Sequence, residues 1–216
     1  MFQKQIVRED WYLLKSFEKN YLKPLASRVP RSIETYHLTL LSLLWSGSVI
    51  LFGNLALQST QWLWGVSACI LLQYITDVLD GEVGRLRSTG LMRWGFYMDH
   101  FLDFIFLSCL FFGYYLFLNQ ERDIIFLLYI LITSFMIHAI LRFPITEKFN
   151  FSFYGVGSSE IRVLAIILNT FVIFFSQNII APMLYIVSIL LFISLCHTVY
   201  TTQKLIWKLD MNSRGK

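Results

Sequence analysis

Long apolar stretches constrain the fold of this chain more than any other feature of its sequence. A helix that crosses a lipid bilayer needs about 20 mostly apolar residues, and six stretches meet that requirement. They comprise residues 37–57, 61–79, 95–118, 124–143, 161–180 and 182–203. Only 15% of the residues are charged, whereas soluble domains use about 25%. We therefore predict an all-α integral membrane protein with six transmembrane helices.

The distribution of Lys and Arg predicts the orientation of these helices. Basic residues occur in the first 36 residues, in or beside the two long interior connections, 80–94 and 144–160, and after residue 203; only Arg122 falls on the opposite side. Because positive charge accumulates on the cytoplasmic side of membrane proteins, we expect a multi-pass protein with both termini and both long connections in the cytoplasm. The location would be the cell inner membrane in a bacterium and an internal membrane in a eukaryote.

The same patterns divide the chain into three regions. Residues 1–36 form a cytoplasmic N-terminal segment, in which the stretch 6–25 mixes aromatic and aliphatic side chains with lysines. This pattern is typical of a basic amphipathic helix that lies at the membrane interface. Residues 37–203 form a six-helix membrane domain, and residues 204–216 form a basic cytoplasmic tail.

Four aspartates with helical spacing stand out from their apolar surroundings. Asp77 and Asp80 end the second apolar stretch, and Asp99 and Asp103 begin the third. Spacings of three and four residues place each pair on one face of a helix, and two helix ends that face each other across the connection 80–94 would gather all four. Bare carboxylates at close range repel each other. We therefore expect a divalent cation, and oxygen ligands favour Mg²⁺, Mn²⁺ or Ca²⁺ over zinc.

Small and basic residues lie between the two aspartate pairs. Gly81 follows Asp80 directly and would let a ligand approach the backbone closely. Gly84 and Gly95 have the size that helices need to pack closely in membranes. Arg85 lies one helical turn beyond Gly81, and an arginine fork suits a diphosphate or a carboxylate.

This stretch resembles the signature of the CDP-alcohol phosphatidyltransferase family, D-x-x-D-G-x-x-A-R, eight or nine residues, then G-x-x-x-D-x-x-x-D. The positions that match are Asp77, Asp80, Gly81, Arg85, Gly95, Asp99 and Asp103, with nine residues between Arg85 and Gly95. Gly84 stands where the family usually has Ala. The six-helix layout, with the signature on the second and third helices, is also similar to the family, so residues 37–203 would be its membrane domain.

The resemblance implies a reaction and a set of site residues. Family members transfer a phosphoalcohol group from a CDP-linked donor to an alcohol acceptor and release CMP, in phospholipid biosynthesis. By resemblance, two divalent ions, Mg²⁺ or Mn²⁺, would lie among Asp77, Asp80, Asp99 and Asp103, with Asp103 as the general base. The CDP moiety would be bound by Asp77, Asp80, Gly81, Arg85 and Gly95. Many members are homodimers, so the expected partners are donor, acceptor, membrane lipids and a second copy, and no nucleic acid.

The start of the fifth apolar stretch offers a weaker indication of where the acceptor binds. The sequence "YGVGSSEIR" ends at Arg162 and supplies polar residues, Ser158 to Glu160, that suit the beginning of a helix. It resembles the corresponding region in part of the same family. We predict that Arg162 and Arg142 face one cavity and hold an acceptor phosphate or a lipid headgroup.

The residues leave the substrates open. CDP-diacylglycerol with a small polar acceptor, such as glycerol phosphate, inositol phosphate or serine, is the more usual arrangement in the family. The reverse arrangement, CDP-choline or CDP-ethanolamine with diacylglycerol as acceptor, would use the same carboxylates. A cation transporter would spread ionisable residues through the middle of several helices, whereas here they cluster at one face. A non-catalytic scaffold would not need all four aspartates.

Overall fold

The computed structural model describes residues 13–146, 158–175 and 180–214, which are almost entirely helical. The described part of the N-terminal segment contains a short helix, α1 (Lys15–Phe17), then a π-helical turn, Glu18–Leu22, and a 3₁₀ turn, Lys23–Arg28. The helices are α1 Lys15–Phe17, α2 Thr35–Leu55, α3 Leu63–Arg87, α4 Met92–Phe117, α5 Arg122–Thr146, α6 Ser158–Phe174 and α7 Ile180–Arg214. No strand occurs in the part of the chain that is described, so the all-α prediction is confirmed.

Five of these helices are long and apolar enough to cross a membrane. They are α2, α3 with the 3₁₀ turn before it, α4, α5 and α7. Their outer faces are apolar, as lipid contact requires; on α7, for example, Ile186, Ile189 and Ile193 are each more than half exposed. Helix α6 has 17 residues, and residues 176–179 of the predicted fifth span lie outside the described chain. The protein is therefore an integral membrane protein, and the predicted fifth span, 161–180, and with it the total of six, stays a prediction.

The connection between α3 and α4 is much shorter than the sequence pattern predicts. Helix α3 continues to Arg87 and α4 begins at Met92, so four residues join them instead of the predicted 80–94. The polar residues after Asp80 end the apolar stretch without ending the helix, because Gly81 and Gly84 both keep helical geometry. The helix ends where Ser88 takes a left-handed φ of 49° and Gly90 a φ of 73°.

Helix α2 packs against both α3 and α4 and so holds these two helices in a fixed position relative to each other. Its backbone approaches α4 most closely at two glycines: a Cβ atom added to Gly53 would lie 2.8 Å from the Cα of Gly113. Small residues permit such close approach between membrane helices. The start of α2 is fixed by a capping box, in which the side chains of Glu34 and His37 each bind the other's backbone N–H.

Helix α6 is joined to this unit by buried hydrogen bonds. The Asn169 side chain is 2% exposed; its Nδ2 donates to Ser67 Oγ at 3.0 Å, and its Oδ1 accepts from Tyr114 OH at 2.8 Å. Because an unpaired amide in an apolar interior is costly, these bonds select one position of α6 against α3 and α4. Helices α5 and α7 pack against each other beside this unit.

The described part of the N-terminal segment has a buried face and an exposed face. Glu18, Leu22 and Ala26, spaced four residues apart, are buried, whereas Phe17 and Tyr21 are exposed. The buried face packs on α3, and residues 6–12 of the predicted amphipathic stretch lie outside the described chain. At the other end, α7 continues without interruption through residues 204–214, the region predicted as a tail.

Candidate metal and substrate site

Three aspartates on two helices converge on one point. Carboxylate oxygens of Asp77, Asp80 and Asp99 all lie within 4.8 Å of one another. The convergence follows from the tight turn, because Asp80 is seven residues before the end of α3 and Asp99 is seven residues after the start of α4. At 1.5 Å per residue, both lie about 10 Å from the turn and face each other at the same level. The site is therefore inside the helical bundle and not at helix ends.

A third helix contributes to the position of Asp80. The Asp80 side chain is 8% exposed, and its Oδ2 accepts a hydrogen bond of 2.8 Å from Thr39 Oγ1 on α2. The Thr39 hydroxyl also lies 3.1 Å from the carbonyl oxygen of Thr35. Packing of α2 between α3 and α4 thus fixes one carboxylate of the cluster directly.

Asp103 is joined to Asp77, one of the three converging aspartates, through Arg162. Its Oδ1 accepts a hydrogen bond of 2.9 Å from Gln73 Nε2 and another of 2.9 Å from Arg162 Nη2. The other arm of the same guanidinium, Nη1, lies 2.8 Å from Asp77 Oδ2. Arg162 therefore bridges α3 and α4 from α6, with one arm of its fork on each carboxylate.

Acidic side chains outnumber basic ones at the site. Four carboxylates face one guanidinium, which is only 11% exposed. The ring of Tyr74 lies 5.8 Å from Arg162 Cζ, and His100 Nδ1 lies 3.7 Å from Asp99 Oδ2. A single arginine cannot neutralise four carboxylates, so the site attracts further positive charge.

The donor chemistry of the cluster fits a hard divalent cation. Each of the three converging residues offers a carboxylate oxygen, and no sulfur or imidazole ligand belongs to the group found among the described residues. Such all-oxygen sets suit Mg²⁺ and Mn²⁺. Asp77, Asp80 and Asp99 are thus able to hold an ion, with Asp103 as a further carboxylate beside them.

Two of the glycines beside the cluster are not required by packing. Among the described residues, a Cβ atom added to Gly95 would meet nothing within 4 Å, and one added to Gly81 would meet only the Arg85 guanidinium, at 3.6 Å. A Cβ atom added to Gly84 would make an ordinary van der Waals contact with α2, at 3.5 Å from Thr35 Cγ2. Space next to Gly81 and Gly95 is what a bound substrate needs.

The basic residues predicted to bind substrate have different surroundings. Arg85 is 62% exposed and forms an ion pair of 2.6 Å with Glu82. Arg142 lies near the end of α5, where its buried Nε has no hydrogen-bond partner within the described ranges 13–146, 158–175 and 180–214. Among the described residues, hydrogen bonds join Arg162 to the aspartates but do not join Arg142 to them.

Three residues at the site were not found from the sequence. Gln73 precedes Asp77 by four positions and so shares its helix face, which is a signal that the pattern contained. Thr39 gave no signal, because it belongs to a different helix and its register depends on packing. Glu18 gave none either, since a charged residue on an amphipathic segment is expected to face water, whereas it is 5% exposed.

Comparison with protein families agrees with this geometry. A family model described as CDP-alcohol phosphatidyltransferase matches residues 35–200, which is well over half of the chain and includes the four aspartates, Gln73 and Arg162. Neither a curated protein nor a solved structure matches the chain. The fold is all-helical and membrane-embedded, as the signature implies, and the signature's first three aspartates converge. The chain therefore belongs to the CDP-alcohol phosphatidyltransferase family, whose members transfer a phosphatidyl group from a CDP-alcohol to an alcohol acceptor.

Proposed function

We propose that this protein transfers the phosphatidyl group of CDP-diacylglycerol to a small polar alcohol, with release of CMP, in phospholipid biosynthesis. The observation that carries the proposal is the convergence of Asp77, Asp80 and Asp99, with Asp103 joined to Asp77 through Arg162. A site within the bilayer region also suits a donor with lipid tails, because the tails remain in lipid while the nucleotide reaches the aspartates.

The aspartates would hold two divalent ions, Mg²⁺ or Mn²⁺. When bound, such ions neutralise the charge of the donor diphosphate and help CMP to leave. The residues of the chain supply the rest of the site. Asp77, Asp80 and Asp99 fix the point at which the diphosphate binds, and Thr39 and Arg162 fix two of those carboxylates in turn.

Asp103 would act as the general base. An alcohol is a poor nucleophile at neutral pH, so a carboxylate has to accept its proton during attack. The acceptor oxygen forms a bond to the β-phosphorus of the donor, the bond from that phosphorus to the bridging oxygen breaks, and CMP leaves with the electron pair. Gln73 and Arg162 both bind Oδ1 of Asp103, which holds the carboxylate in one orientation for proton transfer.

The CDP moiety would bind beside Gly81 and Gly95, where a Cβ atom would meet no backbone, with Asp77 and Asp80 at the diphosphate. Arg85 would exchange its ion pair with Glu82 for the donor diphosphate, because its exposed side chain has the reach and the fork geometry for phosphate.

The acceptor would approach from the side of Arg162 and Arg142. Arg162 already contacts the base, so an anionic acceptor that binds its guanidinium would have its hydroxyl close to Asp103. We further propose that the site opens to the cytoplasm, where CDP compounds and polar acceptors are dissolved, and that the protein is a homodimer.

A CMP-release assay with purified protein tests the proposal. The reaction contains CDP-diacylglycerol, Mg²⁺ or Mn²⁺, and in turn glycerol phosphate, inositol phosphate or serine; a parallel set contains CDP-choline or CDP-ethanolamine with diacylglycerol. We expect CMP release that depends on one polar acceptor in the first set. Release only in the second set would reverse the roles of donor and acceptor, and release in neither set would contradict the proposal.

A further inference from the structure

We propose that Glu18, on the N-terminal segment, is a positioning residue that acts through Arg162 on Asp103. Its effect on turnover rests on the proposed function, since it presumes that Asp103 takes part in transfer. Its effect on the position of helix α6 does not depend on that function, so the two can be tested separately.

Glu18 is a buried carboxylate within a hydrogen-bond network. It is 5% exposed, and its Oε1 accepts hydrogen bonds from Tyr74 OH at 2.8 Å and from Ser159 Oγ at 2.6 Å. Tyr74 and Ser159 are themselves buried. Because burial of a charged group is costly even when it is hydrogen-bonded, packing alone would favour an apolar residue here. We explain the carboxylate at this position by its hydrogen bonds with Tyr74 and Ser159, which hold the surroundings of Arg162 in place.

Both donors are next to Arg162. Ser159 precedes Arg162 by three residues on α6, so the two side chains lie on the same face of the helix. The ring of Tyr74 lies 5.8 Å from Arg162 Cζ. Glu18 thus fixes the helix that carries the arginine and also the aromatic ring beside its guanidinium.

A second contact joins the N-terminal segment to the same turn of α6. The backbone N–H of Leu14 donates to Glu160 Oε1 at 2.8 Å. Two consecutive residues of the first turn, Ser159 and Glu160, are therefore held by the N-terminal segment. The direction of this turn sets where the fork of Arg162 points, and its two arms meet Asp77 and Asp103 at 2.8 and 2.9 Å.

A small rotation of α6 would therefore separate the guanidinium from one or both carboxylates. Displacement of a reacting group by about 1 Å can reduce turnover about a hundredfold. Residues of the N-terminal segment precede the region matched by the family model, 35–200.

The test compares three variants of the full-length protein in lipid nanodiscs. Glu18→Leu removes the acceptor oxygen, Glu18→Gln keeps an amide oxygen that can accept the same two hydrogen bonds, and Asn20→Ala is a matched control at an exposed position of the same segment. We expect Glu18→Leu to lower kcat for CMP release by between about tenfold and a hundredfold, with KM for the donor unchanged. Glu18→Gln and Asn20→Ala would keep the kcat of the unmodified protein.

A double substitution distinguishes positioning from a general loss of stability. If Glu18 acts through Arg162, Glu18→Leu added to Arg162→Lys causes no further loss of kcat beyond that of Arg162→Lys alone, because coupled residues are not additive. Two losses that multiply would overturn the proposal. If Glu18→Leu does not fold, Tyr74→Phe removes only the hydroxyl that donates to Glu18, and its kcat is expected to fall in the same way.

Hydrogen exchange followed by mass spectrometry provides a readout that does not depend on activity. We expect Glu18→Leu, and not Glu18→Gln, to increase exchange in the first turns of α6, with the middle of α2 unchanged. Unchanged exchange in α6, or an unchanged kcat in Glu18→Leu, would overturn the proposal. If the unmodified protein releases no CMP from any donor, the proposed function fails, and exchange in α6 still decides whether Glu18 positions the helix.

Discussion

At the scale of single residues, Arg162 shows how one side chain organises the site. It comes from α6, yet its two arms hold a carboxylate of α3 and a carboxylate of α4. The sequence predicted that it binds an acceptor phosphate, whereas the structure shows it bound to Asp77 and Asp103. Both roles are compatible, since a guanidinium has five N–H donors. The contact with Asp103 means that Arg162 also orients the proposed base.

Substitution of Asp103 by Asn tests that base. The amide oxygen of Asn can still accept hydrogen bonds from Gln73 and Arg162, so we expect the fold to persist. We expect kcat for CMP release to fall by a factor of about 10² to 10⁴, the usual contribution of a general base. Asp123→Asn, an exposed position at the start of α5, is the control. Turnover near that of the unmodified protein in Asp103→Asn would disprove the assignment.

Gly95→Ala tests whether the space beside the aspartates is used by the donor. No atom of the described residues lies within 4 Å of the added methyl group, and Ala stabilises a helix by about 0.5–1 kcal/mol relative to Gly, so Tm is expected to stay equal or rise. The KM for the CDP donor is expected to increase about tenfold or more, since one methylene in a pocket is worth at least that. Gly47→Ala, which also meets open space, would leave KM unchanged; an unchanged KM in Gly95→Ala would argue against donor contact there.

At the scale of elements, the turn between α3 and α4 and the crossing of α2 over α4 place the aspartates. The apolar stretches of the sequence predict where the helices lie, but they do not predict the length of α3. Polar and glycine residues after Asp80 ended the membrane-like pattern, and only the backbone at Ser88 and Gly90 shows where the helix ends. Their conformation depends on how α3 and α4 each pack against α2, which a local pattern does not contain.

Gly53→Ala tests the close crossing of α2 and α4. The new methyl group would lie 2.8 Å from the Cα of Gly113, so the two backbones have to separate. We expect a loss of about 1–3 kcal/mol in the free energy of unfolding, as for other overpacked sites, measured by thermal or denaturant unfolding in detergent. Gly47→Ala on the same helix is the control. Equal stability of the two variants would mean that the crossing is less close than the structure shows.

At the scale of the whole molecule, the sequence predicted the class of fold and the proximity of three aspartates, because both follow from helical periodicity and from residue type. It did not predict Thr39 or Glu18 at the site, because their positions depend on contacts between helices and on the N-terminal segment. Long-range partners of this kind have no local signature. Gln73 was also missed, although its spacing from Asp77 places it on the same helix face. The predicted interfacial role of the exposed residues Phe17 and Tyr21 and the predicted homodimer remain predictions.

The orientation in the membrane is a further prediction at this scale. Almost all basic residues lie on the predicted side of both termini, and Arg122 lies alone on the other side. We therefore expect a reporter that is active only in the cytoplasm to be active when it is fused to either terminus. In the connection before α5, we expect activity only from a reporter that works outside the cytoplasm. The opposite pattern would place the aspartates away from the CDP compounds of the cytoplasm and contradict the proposed site.

Equilibrium binding of Mn²⁺ to the purified protein tests the central claim most directly, because it requires neither donor nor acceptor. Free Mn²⁺ is measured by electron paramagnetic resonance as the ion is titrated into the unmodified protein, Asp80→Asn and the control Asp123→Asn. We expect saturable binding of about two ions per chain, as two-metal phosphoryl-transfer sites hold, with the same binding in the control and loss of at least one ion in Asp80→Asn. Equal binding in all three proteins, or no saturable binding in any of them, would contradict the account.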